Sequence, residues 1–298
     1  MIEYTCDLFA YTFIFVMKIA FVGKGGSGKS TVSWLMIKTL EDTGSRVLAI
    51  DADHNMDLTS NLGQDYELLP QMQKTDKEFF DIVGYEEGKA YTTILANDTP
   101  TLPQFTVFPK DTYTQSVAAD ITDNVSLINV GLGDPDVMHR GKCAHGLSGP
   151  LKYYLGFLDE GDTAVVIDSV AGVDMINYGL YSGIDAIVAV VEPHRNSIKV
   201  MEQILELGRK VMIPCHIIVN KPTDNEFYKH IIETYKEKII GEVPHDTGFA
   251  YYDYAKLSED TKVKAKEIVS KLAALQKRGS LHAMREFHKI KSGEQTEM

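Results

Sequence analysis

The chain has 298 residues, 44% of them hydrophobic, and a formal net charge of −12. That apolar share can bury a substantial core, so disorder is not the default, and the length suits one large α/β domain or two smaller ones. The acidic balance disfavours nonspecific DNA binding, which needs phosphate neutralisation, and the scattered Cys6, Cys143 and Cys215 make no disulfide framework.

Taken in order, residues 1–16 carry an apolar run, Leu8 to Val16, preceded by Glu3 and Asp7 where a signal peptide would carry basic residues. They read as an extension: an upstream start or an added edge strand. Met17–Val22 is a short apolar run of strand type, and Val32–Leu40 reads as a helix. Between them lie Gly23, Lys24, Gly25, Gly26, Ser27, Gly28, Lys29, Ser30 and Thr31. Gly23, Gly28, Lys29 and Ser30 meet G-x-x-x-x-G-K-[ST] at the strand-to-helix turn that a phosphate loop requires. Glycines let successive N–H groups converge on an anion, and the helix N-terminus adds donors and partial positive charge. Lys29 would reach the β- and γ-phosphates of a nucleoside triphosphate, and Ser30 would ligate Mg²⁺. Lys24 stands too early for its own phosphates if the chain ahead is extended, but could serve a nucleotide held by a facing subunit.

The second strand is expected at Arg46–Ile50. From about Gly63 to Asn124 the apolar period weakens, and the stretch reads as an insertion with one edge strand, Phe105–Phe108. Strand character resumes at Ser126–Val130, a glycine-rich loop follows, and a helix is expected near 148–158. Thr163–Ile167 and Ala186–Val191 are near-continuous apolar strands, as in parallel sheets covered on both faces. Helices near 196–210 and 225–236 alternate with strands Cys215–Val219 and Ile239–Val243, and helical period returns at about 259–277. This rhythm predicts a doubly wound, mostly parallel α/β sheet with ligands at the carboxyl ends of its strands. The domain is expected over 17–278, with a tail at 279–298.

Four segments follow strand ends on the ligand side. Asp51-Ala52-Asp53 leads into Asp57, and a carboxylate there can orient water and withdraw its proton; Asp and Asn also cap helices. Asp168 ends an apolar strand, where it can bind Mg²⁺ directly or through water, and Gly172 follows it. Asn220 offers a donor and an acceptor to a base edge, and Pro244-His245-Asp246 follows the last strand. A further loop, Lys142-Cys143-Ala144-His145, pairs a thiolate with an imidazole, suited to Zn²⁺, Ni²⁺ or Cu⁺. Two such ligands do not complete a tetrahedron, but two subunits on a two-fold axis would supply four.

The motif K-G-G-x-G-K-[ST], with Lys24 as its early lysine, resembles the deviant-P-loop ATPases that include the nitrogenase iron protein, the Min and Par positioning ATPases and metal-insertion ATPases. Over most of residues 17–255 the chain most resembles the accessory ATPases for nickel insertion into carbon monoxide dehydrogenase. The shared pieces are the loop, Asp51-Ala52-Asp53, the insertion, the cysteine loop, Ala171-Gly172 and Val191-Glu192-Pro193. By that resemblance Asp53 is catalytic with Lys29 and Lys24, and Lys24 crosses a two-fold interface in the ATP-bound homodimer. The loops of Asn220, Pro244 and Asp246 would surround adenine, and Cys143 and His145 would hold a transition metal between subunits. His145 departs from the second cysteine of those relatives, which argues against a [4Fe–4S] cluster. The expectation is a cytoplasmic Mg-ATPase cycling between ATP and ADP and serving a client metalloenzyme, with no specific nucleic acid or membrane partner. The competing expectation is a positioning ATPase, in which the basic tail around Leu281, Met284, Phe287 and Ile290 would lie on a membrane.

Overall fold

The computed structural model describes residues 17–84, 104–131, 149–177 and 179–279. Its elements in chain order are β1 (Lys18–Gly23), α1 (Lys29–Asp42), β2 (Arg46–Asp51), α2 (Asp57–Asn61), α3 (Asp76–Ile82), β3 (Phe105–Thr106), α4 (Thr112–Val117), β4 (Ala118–Asp120) and β5 (Val125–Asn129). Then come α5 (Gly149–Phe157), β6 (Leu158–Asp159), β7 (Thr163–Asp168), α6 (Asp174–Asn177), β8 (Ala186–Val191), α7 (Arg195–Lys210), β9 (Cys215–Asn220), α8 (Glu226–Tyr235), β10 (Ile239–Val243) and α9 (Glu259–Ala273).

An eight-stranded sheet runs β10-β9-β8-β1-β7-β2-β5-β4. All neighbours are parallel except β4, which pairs antiparallel with β5 at the edge. Parallel strands need crossover connections that cover both faces, which is why β1, β7 and β8 are apolar at nearly every position and buried throughout. One face packs on α1 and α9 through Ile19, Phe21, Trp34, Leu35, Ile37 and Ile268. The other carries Val22, Ile50, Ile167, Ala189, Met201 and Ile204 among its core residues. The expected doubly wound, mostly parallel fold is thus present, and no helix among the described residues is long and apolar enough to cross a membrane.

Two features differ from the sequence reading. The stretch after Gly63 is not patternless where it is described. Phe79 and Phe105 lie 5.7 Å apart, Phe105 and Tyr154 5.0 Å, and the Thr114 and Tyr154 hydroxyls meet at 3.0 Å, so the segment joins the core through rings rather than through an apolar period. The expected edge strand at 105–108 shortens to β3, which pairs with β6 in a separate two-stranded sheet. Residues 1–16 and 280–298 lie outside the described residues, as do Cys143 and His145.

At the pole where β1 begins, Lys18 is buried, donating to the Leu155 and Leu158 carbonyls and pairing with Glu160 at 3.0 Å. Asp185 ties the same pole together, accepting from the backbone N–H groups of Lys18 and Arg278. The opposite pole, where the parallel strands end, is where the loop motifs converge in space.

Candidate nucleotide-binding site

β1 ends at Gly23, and the chain turns through Lys24–Gly28 into α1. Ser27 N–H donates to the Lys24 carbonyl at 2.9 Å, closing the turn. A Cβ at Gly23 would sit 2.5 Å from Ser27 Oγ and 2.6 Å from the Val190 carbonyl, so only glycine fits. Gly28 is the N-cap of α1 with φ of 86°, and a Cβ there would meet Asn220 Nδ2 at 2.2 Å. The loop and the first turn of α1 thus sit at the strand-end pole, where the N–H groups of a helix N-terminus suit an anion.

Lys29 is the centre of the charge pattern. Its ammonium lies 2.6 Å from Asp53 Oδ2, 3.7 Å from Asp168 Oδ1 and 3.3 Å from the Ser30 hydroxyl. Burial opposes the charge on Lys29, but attraction from Asp168 and the bond to Asp53 outweigh it and hold its pKa above the usual lysine range. Asp51 and Asp168 end neighbouring strands at the same register. Asp168 is fully buried, and no donor meets full hydrogen-bond geometry at either carboxylate oxygen, although the Ser30 hydroxyl lies near enough to favour its charged form. Burial pushes its pKa up to about 7, and the Lys29 charge offsets this only in part. Burial likewise raises Asp51 to about 6, although Thr59 donates to it through both N–H and hydroxyl, at 2.8 and 2.7 Å. Asp51 thus fastens α2 to the end of β2, while Asp53 is left to face Lys29. Asp53 Oδ1 also accepts from Asn55 N–H at 3.1 Å, the short-range capping bond that Asp supplies readily.

The second strand-end segment touches the loop directly. Gly172, with φ of 83°, donates its N–H to the Gly23 carbonyl at 2.8 Å. Ala171 Cβ is 4.0 Å from where a Gly25 Cβ would lie. A change at either segment is therefore felt by the other.

A buried carboxylate without a well-formed hydrogen bond, a neighbouring serine hydroxyl and a second carboxylate form a hard oxygen set. Asp168, Ser30 and Asp53 fit Mg²⁺, which usually binds through one or two carboxylates plus phosphate oxygens. No group of three His, Cys, Asp or Glu arranged as a self-sufficient metal site occurs among the described residues.

Other expected residues have different settings. Lys24 points its ammonium at the Gly25 carbonyl, 3.2 Å away and exposed, so it is not drawn into its own loop's centre. Asp57 stands exposed in the first turn of α2, where its charge complements the helix dipole. Asn220 is nearly buried and donates Nδ2 to the Ser27 carbonyl at 2.9 Å, buttressing the phosphate loop from behind. Pro244 follows β10 half-buried. Asp246 accepts from Gly248 N–H, Ser258 N–H and hydroxyl, and the Thr261 hydroxyl, at 2.6–2.9 Å, anchoring its loop to the start of α9.

A family model for the CobQ/CobB/MinD/ParA nucleotide-binding domain matches residues 19–257. The chain belongs to this family. Within the CobQ/CobB/MinD/ParA family, it is 31% identical over 252 residues to the carbon monoxide dehydrogenase accessory protein CooC of Rhodospirillum rubrum, covering 81% of this chain and 89% of that protein. It is 30% identical over 239 residues to an uncharacterised ATP-binding protein of Methanocaldococcus jannaschii, covering 77% and 88%. Among solved structures, a complex of Cyanothece McdA with ATP aligns with a TM-score of 0.60 at 16% identity, over 88% of this chain and 98% of that one. The Aquifex aeolicus MinC:MinD complex aligns at 0.54 and 16%, over 88% and 98%. At such identities the solved structures speak for the fold, and the fold is the family's.

Proposed function

We propose that the chain is a Mg²⁺-dependent ATPase that dimerises around ATP and acts as a maturation factor, delivering a transition metal to a client metalloenzyme. The observation that carries the ATPase reading is the buried Lys29 ammonium between Asp53 and Asp168, at 2.6 and 3.7 Å, on a loop shaped for phosphate. Lys29 and the α1 N-terminus would neutralise the phosphates, and Asp53 would place the attacking water and take its proton. Bound through Ser30 and Asp168, with Asp53 nearby, Mg²⁺ would supply charge neutralisation on the β- and γ-oxygens. Asp51 works by holding α2, and Gly172 links the segment after β7 to the loop. ADP would remain on the same first-turn donors after phosphate leaves.

Support for the maturation reading comes from the 31%-identical relative, whose name is that of an enzyme accessory protein. The sequence adds Cys143 and His145, a pair that two copies would complete into a Cys₂His₂ set for Zn²⁺ or Ni²⁺ cargo. The exposed Lys24 ammonium is free to reach a partner copy's nucleotide. The test is phosphate release and metal content measured together. Lys29→Ala and Asp53→Ala should abolish hydrolysis, and a Cys143→Ser/His145→Ala double variant should lose bound metal while still binding ATP. Full hydrolysis without Lys29 would end the ATPase reading, and unchanged metal stoichiometry in the double variant would end the cargo reading.

A further inference from the structure

The loop after β10 brings an aromatic side chain to the phosphate loop, and none of the motifs described above includes it. Asp246 pins this loop at its base through four hydrogen bonds. Phe249 packs towards Trp34 of α1, ring centroids 6.2 Å apart. Tyr252 then adopts φ of 44° and ψ of 43°, a left-handed conformation that is costly for a residue with a Cβ. In that conformation its ring stands edge-on to Trp34 at 5.3 Å and 87°. Its phenol oxygen reaches Thr31 Oγ1 at 3.3 Å. Thr31 is the third residue of α1, immediately after Ser30, in the first turn of the helix. Tyr252 nevertheless keeps 36% of its surface exposed, so its ring is not held there by burial alone.

We propose that Tyr252 is a nucleoside-positioning residue of the site, and that Trp34 senses its placement; this rests on the nucleotide-binding reading above. A phosphate oxygen on the first turn of α1 would accept from the Thr31 hydroxyl. That fixes Thr31 as donor towards the phosphate and as acceptor from the Tyr252 phenol. Aligned hydrogen bonds of this kind polarise and strengthen one another. The phenol is thereby drawn onto the loop, and its ring offers an apolar face beside the nucleoside end of the ligand. Because these contacts are the same before and after hydrolysis, they contribute to binding and leave the chemical step alone.

Trp34 is the chain's only tryptophan, and its ring neighbours Phe249 and Tyr252 both lie on the loop after β10, so its emission reads the placement of that loop. The experiment titrates wild type, Tyr252→Phe and Tyr252→Gly with ATP and with ADP, following Trp34 emission, and measures affinity independently by calorimetry. Glycine accepts the left-handed backbone, so Tyr252→Gly removes the side chain without adding strain. Tyr252→Phe should weaken both nucleotides roughly threefold, through one lost hydrogen bond, and Tyr252→Gly roughly tenfold or more. Turnover at saturating ATP should stay within about twofold, the signature of uniform binding. The emission change on ADP binding should shrink in Tyr252→Phe and shrink further in Tyr252→Gly, where only the Phe249 contact to Trp34 remains. If calorimetry shows ATP binding all three proteins equally, the proposal is overturned while the nucleotide reading stands. If the wild type binds no nucleotide, both fall.

Discussion

Lys29 and Asp53 form a buried ion pair of 2.6 Å that joins the phosphate loop to the segment after β2. The carboxylate proposed to place water is thus bonded to the ammonium proposed to bind phosphate. Nucleotide and Asp53 compete for one cation. Asp53→Asn should therefore raise ATP affinity roughly threefold to tenfold, by freeing Lys29 and removing a negative charge from the site. The same change should slow hydrolysis by about 10²-fold or more, the usual loss of a general base. Calorimetry and phosphate release measure the two effects separately, and weaker ATP binding would contradict the competition.

The carboxylates at the strand ends make the nucleotide-free protein pH-sensitive. Asp168 and Asp51 have native pKa values raised to about 7 and about 6, against about 3.9 in an unfolded chain. A raised carboxylate pKa means that the folded state holds the proton more tightly. Its stabilising contribution is complete below about pH 4 and is lost as pH climbs through 6 and 7. Asp168→Asn removes that loss. It should raise the melting temperature at pH 8 by on the order of 5 °C, with the gain shrinking below about pH 6. A pH-independent gain would show that the site charge is not its source.

Asn220 supports the loop rather than standing free. Asn220→Ala deletes the bond to the Ser27 carbonyl and should cost about 1–2 kcal/mol, lowering the melting temperature by about 2–8 °C. Gly28→Ala should be worse, because its Cβ collides with Asn220 Nδ2 and its φ of 86° disfavours any side chain. In a Gly28→Ala/Asn220→Ala chain the collision is relieved and the backbone strain persists, so nucleotide affinity should recover only in part.

Asp246→Ala tests the anchor of the loop after β10. Some desolvation opposes ionisation, but hydrogen bonds from Thr261, Ser258 and Gly248 hold its pKa down to about 2. A depressed carboxylate stabilises the fold above its unfolded pKa and loses that effect as pH falls through the native value. The variant should be about 1–2 kcal/mol less stable at pH 7, as for other lost caps, and the difference should close towards pH 2. Thermal melts at both pH values decide it.

Lys24→Ala should bind ATP nearly as tightly as the wild type in a single chain, since its ammonium faces solvent and the Gly25 carbonyl. ATP-dependent dimerisation should be lost, as read by sedimentation. A monomeric wild type at saturating ATP would remove the premise.

Much of this was legible from residues alone because apolar runs and glycine spacing act locally. The sequence reading placed β1, the loop, α1, β7 and β8 correctly, since a parallel sheet covered on both faces demands unbroken apolar strands. The segment around Phe79, Phe105 and Tyr113 was harder, because its packing is made by single aromatic rings far apart in sequence. Asn220 and Asp246 show a second limit. Their positions after strands were evident, but the partners that occupy them, Ser27 and Ser258-Thr261, follow from tertiary geometry. Ser258, three residues before Thr261, does carry a helix-capping signal in the sequence. Tyr252 left no trace at all in sequence, for nothing local links it to Thr31.

The strand that carries the phosphate loop is paired on one side by β7 and on the other by β8. During synthesis, β1 emerges early but gains its first neighbour only after Asp168 and its second only after Val191, and Asn220 reaches the back of the loop later still. Until then the loop has no rigid floor, and its backbone donors cannot converge on a phosphate. Nucleotide therefore cannot guide the early stages of folding in this chain; it can only reward a sheet that has already closed.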